Sequence, residues 1–131
     1  MARKRARLSR SSDFRRVYRQ GTWAASRFVV VYYFEQPPGS AAEEPRLGLS
    51  VSKKVGGAVV RNRIKRLLRE SFHDLVPTLS QRHDYVVIAR PPIADLAERQ
   101  AKGERGLVRE ALVEVLVKAG VAAPAESEST A

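Results

Sequence analysis

The amino-acid sequence predicts a single α+β domain whose elements follow the order helix, strand, strand, basic helix, strand and helix. Residues 27–35 and 84–89 are rich in β-branched and aromatic side chains, a composition typical of strands. Residues 58–75 repeat apolar side chains with a period of about 3.6, which predicts a long amphipathic helix. The length of 131 residues allows one domain with a buried core and leaves no room for a second.

The chain begins with a basic segment that leads into a short helix. Residues 1–10 hold five basic side chains and one leucine, so we expect a flexible arm that orders only against a polyanion. The first helix is expected to start at a serine cap near its N-terminal end and to stop at Gly21. Phe14 and Tyr18 share one face of this helix, where they serve either as core anchors or as rings that stack on unpaired bases.

Strands are predicted where the apolar pattern changes. Both faces of 27–35 are apolar, which predicts a central strand covered on both sides and leaves open whether the face with Tyr32 or its opposite meets a ligand. Residues 46–52 alternate larger apolar side chains with glycine and serine, as expected of a half-open strand. Residues 36–45 read as a loop because of their proline, glycine and glutamate content, and 84–89 form the next strand.

The segment 53–69 contains seven Lys or Arg side chains and no carboxylate. On a helix that starts after Gly57, the apolar residues occupy about 140° of arc. Asn62, Arg66 and Arg69 lie on the opposite side, together with Lys65. Because ordinary solvated helix faces mix glutamate with lysine at i,i+4, this charge density favours an anionic partner over a solvated face.

Arg61, Asn62 and Arg63 lie in the first turns of the same helix. A helix N-terminus is a ready anion site, because its backbone N–H groups are unpaired and carry the positive end of the macrodipole. Positive side chains at this end are unfavourable in an isolated helix. We therefore expect a phosphate beside them, since its oxygens match a guanidinium fork, while Asn62 can donate and accept toward a sugar or base edge.

The last third of the chain is predicted to hold a linker, a helix and a tail. Residues 93–103 follow two prolines and are expected to be a linker, and 104–118 carry the apolar stripe of a helix that Gly120 ends. The remaining residues are mainly Ala, Ser and Glu, which predicts a disordered acidic tail. The predicted organisation is a flexible basic arm at 1–10, a folded domain at 11–119 and the tail at 120–131.

Positive charge is concentrated in the first half of the chain. The sequence has 24 Lys and Arg against 14 Asp and Glu, a net charge of +10 and a pI near 10.7. Residues 1–69 carry 17 basic and four acidic groups, net +13, whereas 70–131 carry seven and ten, net −3. This distribution favours nucleic-acid binding.

We expect no membrane partner, because no apolar run approaches the roughly 18 residues of a spanning helix. We expect a cytoplasmic location, because the N-terminus lacks the apolar region of a secretory signal.

The sequence shows no self-contained active site. Cysteine is absent, which excludes disulfides, thiolate nucleophiles and cysteine zinc sites. His73 and His83 have no carboxylate and nucleophile at motif spacing. Asp74, Asp84 and Asp95 are scattered along the chain, whereas metal-dependent nucleases gather carboxylates around the ions. We therefore expect no catalytic residue and no metal or cofactor bound by the protein alone.

Three blocks of the sequence resemble the protein component of bacterial ribonuclease P. The most specific is GLSVSKKVGGAVVRNRIKRLLRESF at 48–72, which is similar to that family's signature around its RNR motif. SSDFRRVYRQGT at 11–22 and DYVVIAR at 84–90 support the resemblance. The likeness covers about residues 7–118. The loop before the second main strand, the linker and the tail depart from the family pattern, and all three are peripheral.

The resemblance implies a partner and a substrate. The family accompanies a catalytic RNA that uses Mg²⁺ to cleave the 5′ leader from precursor tRNA, so the chemistry belongs to the RNA and Mg²⁺ enters the holoenzyme through it. The implied RNA-facing group on and before the basic helix comprises Lys53, Lys54, Arg61, Asn62, Arg63, Lys65, Arg66 and Arg69. The implied leader-binding group, in a cleft between the first helix and the sheet, comprises Phe14, Tyr18 and Tyr32.

The resemblance also implies the topology α-β-β-(β)-α-β-α, similar to the second domain of ribosomal protein S5. It implies a central mixed sheet, with the basic helix after the second main strand in a left-handed β-α-β crossover. Residue patterns alone would predict the opposite hand, because parallel crossovers are right-handed in about 98% of cases. Two other functions stay open: a structural RNA-binding protein such as a ribosomal component, and an autonomous metal-dependent nuclease, which the missing carboxylate cluster disfavours.

Overall fold

The fold is given by a computed structural model that describes residues 15–16, 19, 21–36, 45–79 and 83–121. Arg15, Arg16 and Arg19 have helical backbone, as expected of the predicted first helix. The predictions for the arm at 1–10, for Phe14 and Tyr18, and for the tail after residue 121 lie outside the described residues.

A four-stranded mixed sheet forms the centre of the described domain. Its strands are β1 (Thr22–Ala25), β2 (Val29–Glu35), β3 (Arg46–Ser50) and β4 (His83–Ala89). In space the order is β1-β2-β4-β3, with antiparallel β1–β2 and β2–β4 pairs and a parallel β3–β4 pair. The helices are α1 (Ala58–Leu75), α2 (Ile93–Ala101) and α3 (Leu107–Lys118), and a 3₁₀ turn (Val76–Thr78) follows α1.

This architecture confirms the predicted α+β class and the mixed sheet. The strand predicted to be central, β2, pairs on both sides, with β1 and with β4. The basic helix α1 connects β3 to β4, which are parallel neighbours, so it follows the second main strand as expected. Its bounds, Ala58–Leu75, match those predicted from the apolar period.

The main core lies between one face of the sheet and the three helices. Val31, Tyr85 and Val87 project from the sheet into the same buried cluster as Ile64 of α1 and Leu112 of α3. All five are fully buried. At the end of this face the Tyr33 hydroxyl donates to the backbone oxygen of Ala119 at 3.0 Å, which ties the sheet to the end of α3.

The second face of the sheet is defined by Val30, Tyr32, Phe34, Val86 and Ile88. Tyr32, Phe34 and Ile88 pack around the buried Val86, and they form a cluster separate from the main core. The register of β2 shows which of its two apolar sets packs against the helices. Tyr33 turns toward the helices, whereas Tyr32 lies on the second face.

Two elements differ from the sequence prediction. The predicted linker at 93–103 contains the helix α2, whose Ile93, Leu96 and Ala97 are buried at helical spacing. The pair of prolines was interpreted as a break, but proline is compatible with the start of a helix, where its missing N–H would be unpaired in any case. The short strand β1 was also not assigned; it pairs with β2 at the edge of the sheet.

The packed chain extends to Val121, slightly beyond the predicted start of the tail. Gly120 has φ of +81°, a left-handed conformation that glycine adopts without a steric cost. The N–H of Gly120 donates to Val117 at 2.9 Å and the N–H of Val121 to Leu116 at 3.1 Å, the pair of bonds that closes a helix in a Schellman motif. Val121 is thereby buried against the core.

Candidate nucleic-acid interface

Helix α1 separates apolar and basic side chains as its periodicity predicted. Ile64, Leu68 and Phe72 are buried in the core. Asn62 and Arg66 are exposed on the opposite side, and Lys65 and Arg69 are partly exposed. We call the surface formed by Asn62, Lys65, Arg66 and Arg69, with Arg61 and Arg63 at its margins, the basic face.

The basic face contains little compensating negative charge. Glu70 lies 4.0 Å from Arg66 in an i,i+4 pair, and both side chains are more than half exposed. Such an exposed pair is weak and strongly screened by salt. The basic face therefore presents a net positive surface to a partner.

The N-terminal end of α1 lies at one end of the basic face and has no side-chain cap. Gly57 is the N-cap residue in an extended conformation, and the first turn contains no acidic residue. The N–H of Arg61 donates to the oxygen of Gly57 at 2.9 Å, while its Nε donates to the oxygen of Gly56 at 3.2 Å. The Arg61 side chain is thus held beside the helix N-terminus, where backbone N–H groups favour an anion.

Lys53 and Lys54 occupy the turn that precedes this helix end. The turn is closed by a hydrogen bond from the N–H of Val55 to the oxygen of Ser52 at 3.0 Å. Both lysines are exposed, whereas Val55 is buried. The buried valine fixes the turn, so that the two lysines extend the positive surface beyond the helix.

Asp84 is the centre of a buried ion-pair network at one end of the second face. Its carboxylate is fully buried. Arg46 donates from Nε to Oδ1 at 2.8 Å and from Nη2 to Oδ2 at 2.7 Å. Arg16 donates from Nη2 to Oδ2 at 2.5 Å, and Gln36 donates from Nε2 to Oδ1 at 3.0 Å. The helical segment that contains Arg16 is therefore bound to β3 and β4 through one carboxylate.

The Arg16 guanidinium also lies over the Phe34 ring, 5.5 Å from its centroid. This cation–π contact and the ion pair hold the N-terminal helical segment against the second face of the sheet. A surface of this kind, with aromatic side chains beside arginines, can hold unpaired bases by stacking and phosphates by charge. Tyr32, a predicted leader-binding residue, lies on this face, and Phe14 and Tyr18 lie outside the described residues.

Asp84 is one of the carboxylates that are scattered along the sequence, and its place at the centre of this network was not predicted. A carboxylate at the start of the apolar run DYVVIA was an available signal, because a charge in a buried strand requires charged or hydrogen-bonding partners. Across 21–36, 45–79 and 83–121, no group of three or more His, Cys, Asp or Glu residues is placed to hold a metal ion. Within the same part of the chain, no helix combines the length and the apolar character needed to cross a bilayer.

The fold and these two surfaces define a class of protein: a small single-domain α+β protein with a basic helix face and an aromatic sheet face. Comparison with known proteins then gives the family. The sequence model of the family Ribonuclease P matches residues 2–112. The chain belongs to the ribonuclease P protein family, whose members are the protein subunit of that tRNA-processing endoribonuclease and partner its RNA.

Relatives at the sequence level cover most of the chain. The ribonuclease P protein component of Bacillus pumilus is 46% identical over 100 residues, which cover 76% of this chain and 82% of that protein. The corresponding protein of Listeria innocua is 43% identical over 100 residues, with the same coverage. These similarities confirm the family that the three sequence blocks indicated.

Solved structures agree with the fold. The RNase P protein of Staphylococcus aureus has a TM-score of 0.75 and 37% identity, with 92% of this chain and all of that chain covered. The RNase P protein of Thermotoga maritima has a TM-score of 0.67 and 30% identity, over 84% and 94% of the two chains. A variant of the Staphylococcus aureus protein, described as defective in mRNA degradation activity, has a TM-score of 0.72.

Proposed function

We propose that this chain binds the catalytic RNA of ribonuclease P through the basic face of α1 and binds the single-stranded 5′ leader of precursor tRNA on the second face of the sheet. The observation that carries the proposal is the basic face itself, which lies opposite the buried side of α1 and ends at an uncapped helix N-terminus. In this proposal the cytoplasm is the compartment in which the protein works.

The proposed RNA contact comprises Lys53, Lys54, Arg61, Asn62, Arg63, Lys65, Arg66 and Arg69. Phosphates of a folded RNA would lie along the basic face, with one phosphate at the helix N-terminus beside Arg61. Each contact releases condensed counterions, so six to ten contacts would weaken binding by about 10³ to 10⁵ between 50 and 200 mM salt. Binding of the RNA subunit would therefore depend strongly on salt.

The proposed leader contact comprises Phe14, Tyr18 and Tyr32. Stacking of a base on an aromatic ring contributes about 1 to 3 kcal/mol and tolerates any base. This tolerance suits a subunit that must accept many precursor tRNAs. Cleavage itself, with the Mg²⁺ that it requires, is assigned to the RNA subunit, and no metal or cofactor is assigned to the protein alone. By holding the leader, the protein would broaden substrate use and lower the Mg²⁺ concentration that the holoenzyme needs.

The test of the proposal is reconstitution of the full chain with the catalytic RNA, followed by cleavage of precursor tRNA at low Mg²⁺. We expect cleavage to be faster than with RNA alone, and an absence of stimulation would reject the proposal. A protein-only reaction with Mg²⁺ is run in parallel, with both precursor tRNA and an mRNA. Cleavage by the protein alone would instead support an autonomous nuclease.

A pair of variants tests the basic face. Replacement of Arg61 and Arg63 by alanine is expected to weaken binding of the RNA subunit and to reduce the slope of log affinity against log salt by about two, at about one per phosphate contact. Arg105 and Arg109 are exposed on and before α3, so their joint replacement by alanine removes equal charge from another surface. Equal losses for the two double variants would show that net charge alone attracts the RNA.

The leader contact is tested by the ratio of two affinities. Tyr32→Ala should weaken binding of leader-bearing precursor more than binding of mature tRNA, because only the precursor offers bases to the second face. Equal losses for the two ligands would assign Tyr32 to packing around Val86. Co-purification with ribosomal subunits in place of one catalytic RNA would favour a structural ribosomal role.

A further inference from the structure

Trp23, in the edge strand β1, is a large apolar side chain that is exposed to solvent. It is the only tryptophan in the chain, and 60% of it is exposed. Ala24, the next residue, packs against the main core. Since successive side chains of a strand point to opposite faces, Trp23 projects on the second face of the sheet.

The strand register places Trp23 directly beside Tyr32. Trp23 of β1 pairs with Tyr32 of β2, which pairs with Val86 of β4. Side chains at directly opposed positions have Cβ atoms about 4.5 to 5.5 Å apart. Two aromatic rings on adjacent strands therefore lie in one row, with Tyr32 supported by Val86 and Trp23 at the outer edge of the sheet.

Three cations surround the end of β1. The Nζ of Lys118 donates to the oxygen of Ala25 at 3.1 Å, and Nη1 of Arg90 donates to the oxygen of Ser26 at 2.9 Å. The Arg27 guanidinium lies 5.3 Å from the centroid of the Phe28 ring.

None of these cations forms an ion pair with a carboxylate of the described residues. The carboxylate of Asp84, on the same face as Trp23, is already neutralised by two arginines. The positive charge near Trp23 and its exposed ring therefore favour a ligand with an anionic backbone and unpaired bases that can stack. Single-stranded nucleic acid has both.

We propose that Trp23 and Tyr32 form a two-ring platform that stacks successive bases of single-stranded RNA, with Trp23 holding the base at the outer edge of the sheet. Sheets that carry aromatic side chains on adjacent strands stack two or three bases in this way in other RNA-binding folds. The proposal rests on the proposed function, since the RNA that reaches this face in the holoenzyme is the 5′ leader. It adds a binding residue and an order along the leader.

The order of Tyr32 and Trp23 along the leader can be measured. Tyr32 lies on a central strand and Trp23 on the edge strand, so a leader that crosses the sheet outward meets Tyr32 first. Shortening the leader should remove the Trp23 contact before the Tyr32 contact. The effect of Trp23→Ala should then disappear at a leader length at which the effect of Tyr32→Ala persists.

The first experiment uses the full chain alone with a short single-stranded RNA. Because Trp23 is the only tryptophan, its fluorescence reports on stacking directly, and we expect quenching on binding. Trp23→Ala should weaken binding by about 5- to 150-fold, the equivalent of one stacked base, and Trp23→Phe should retain most of the affinity. Thr22→Ala is the matched control, because Thr22 is exposed on the same strand and pairs with Tyr33 on the other face.

The second experiment uses the holoenzyme and precursors with progressively shorter leaders. Thermal unfolding of each variant confirms the fold; exposed Trp23 leaves no cavity, so stability should change little. Unchanged fluorescence on RNA binding, or Trp23→Ala binding the short single-stranded RNA as tightly as the parent chain, would overturn the platform. If fluorescence is quenched by RNA but the holoenzyme shows no dependence on the leader, the platform stands and the leader-binding function fails.

Discussion

The carboxylate of Asp84 offers the sharpest test of how the two surfaces are held together. Asp84→Asn keeps the size of the side chain and removes its charge. The asparagine oxygen can still accept from Arg46 Nε and Gln36 Nε2 at the Oδ1 position. At the Oδ2 position an NH₂ group would face the Nη2 atoms of Arg46 and Arg16, which now donate at 2.7 and 2.5 Å. Two charge-assisted hydrogen bonds are thereby replaced by opposed donors.

The expected cost follows from these two bonds. Hydrogen bonds to charged groups contribute about 1.5 to 3 kcal/mol each, and removal of one partner of a buried ion pair costs about 3 to 5 kcal/mol. The Arg16 and Arg46 side chains are 19% and 22% exposed, so both can recover part of their hydration. We therefore expect Asp84→Asn to lower the free energy of unfolding by about 3 kcal/mol, at the low end of that range.

Urea denaturation at neutral pH measures this change through the midpoint, with an unchanged slope m showing that the two-state transition is preserved. The matched control is Asp95→Asn, the same substitution in an exposed pair whose carboxylate lies 3.8 Å from Arg99; it should change stability by less than about 0.5 kcal/mol. A loss below about 1 kcal/mol for Asp84→Asn would refute the reasoning, because a loss of that size does not require a buried ion-pair network.

Three further predictions concern the core and the helix end. Leu68→Ala empties a fully buried site on α1 and should cost about 2 to 5 kcal/mol in the same urea assay. Gly120→Ala places a Cβ at φ of +81° and should cost about 1 to 2 kcal/mol, seen as a lower melting temperature. Burial, followed by the nearby Tyr33, raises the pKa of the Tyr85 phenol. Its contribution to stability is therefore complete below pH of about 10, the pKa of an unfolded tyrosine, and is lost as pH rises further; Tyr85→Phe should flatten this alkaline loss in unfolding curves measured against pH.

The sequence predicted the elements whose patterns are local. Helix α1 was found with its bounds because an uninterrupted 3.6-residue period runs from Gly57 to the proline at position 77. Strand β2 was correctly placed at the centre because both of its faces are apolar. The prediction that failed, a linker at 93–103, also depended on a local pattern. Two consecutive prolines occur both in linkers and at helix starts, and only the burial of Ile93 and Leu96 distinguishes the two.

Long-range pairing explains what the sequence could not predict. The face on which Tyr32 lies depends on the register of β2 against β4, and both alternating sets of β2 are apolar. Asp84 finds its partners across separations of 68 residues for Arg16 and 38 for Arg46, so no local pattern identifies them. Trp23 gains a neighbouring ring only through the β1–β2 pair. The basic face of α1 was predictable because charge and helical period coincide within one segment.

The β3–α1–β4 unit connects the basic face of α1 to the second face of the sheet. Helix α1 carries the basic face, while β3 and β4 contribute Arg46 and Asp84 to the network that holds the N-terminal helical segment. Packing of Leu68 and Ile64 against Tyr85 and Val87 fixes α1 to the sheet. A core substitution such as Leu68→Ala should therefore weaken binding of the RNA subunit and of the leader together. Substitutions at Arg61 or at Trp23 should separate the two, because each removes a surface contact and leaves the packing between the surfaces intact.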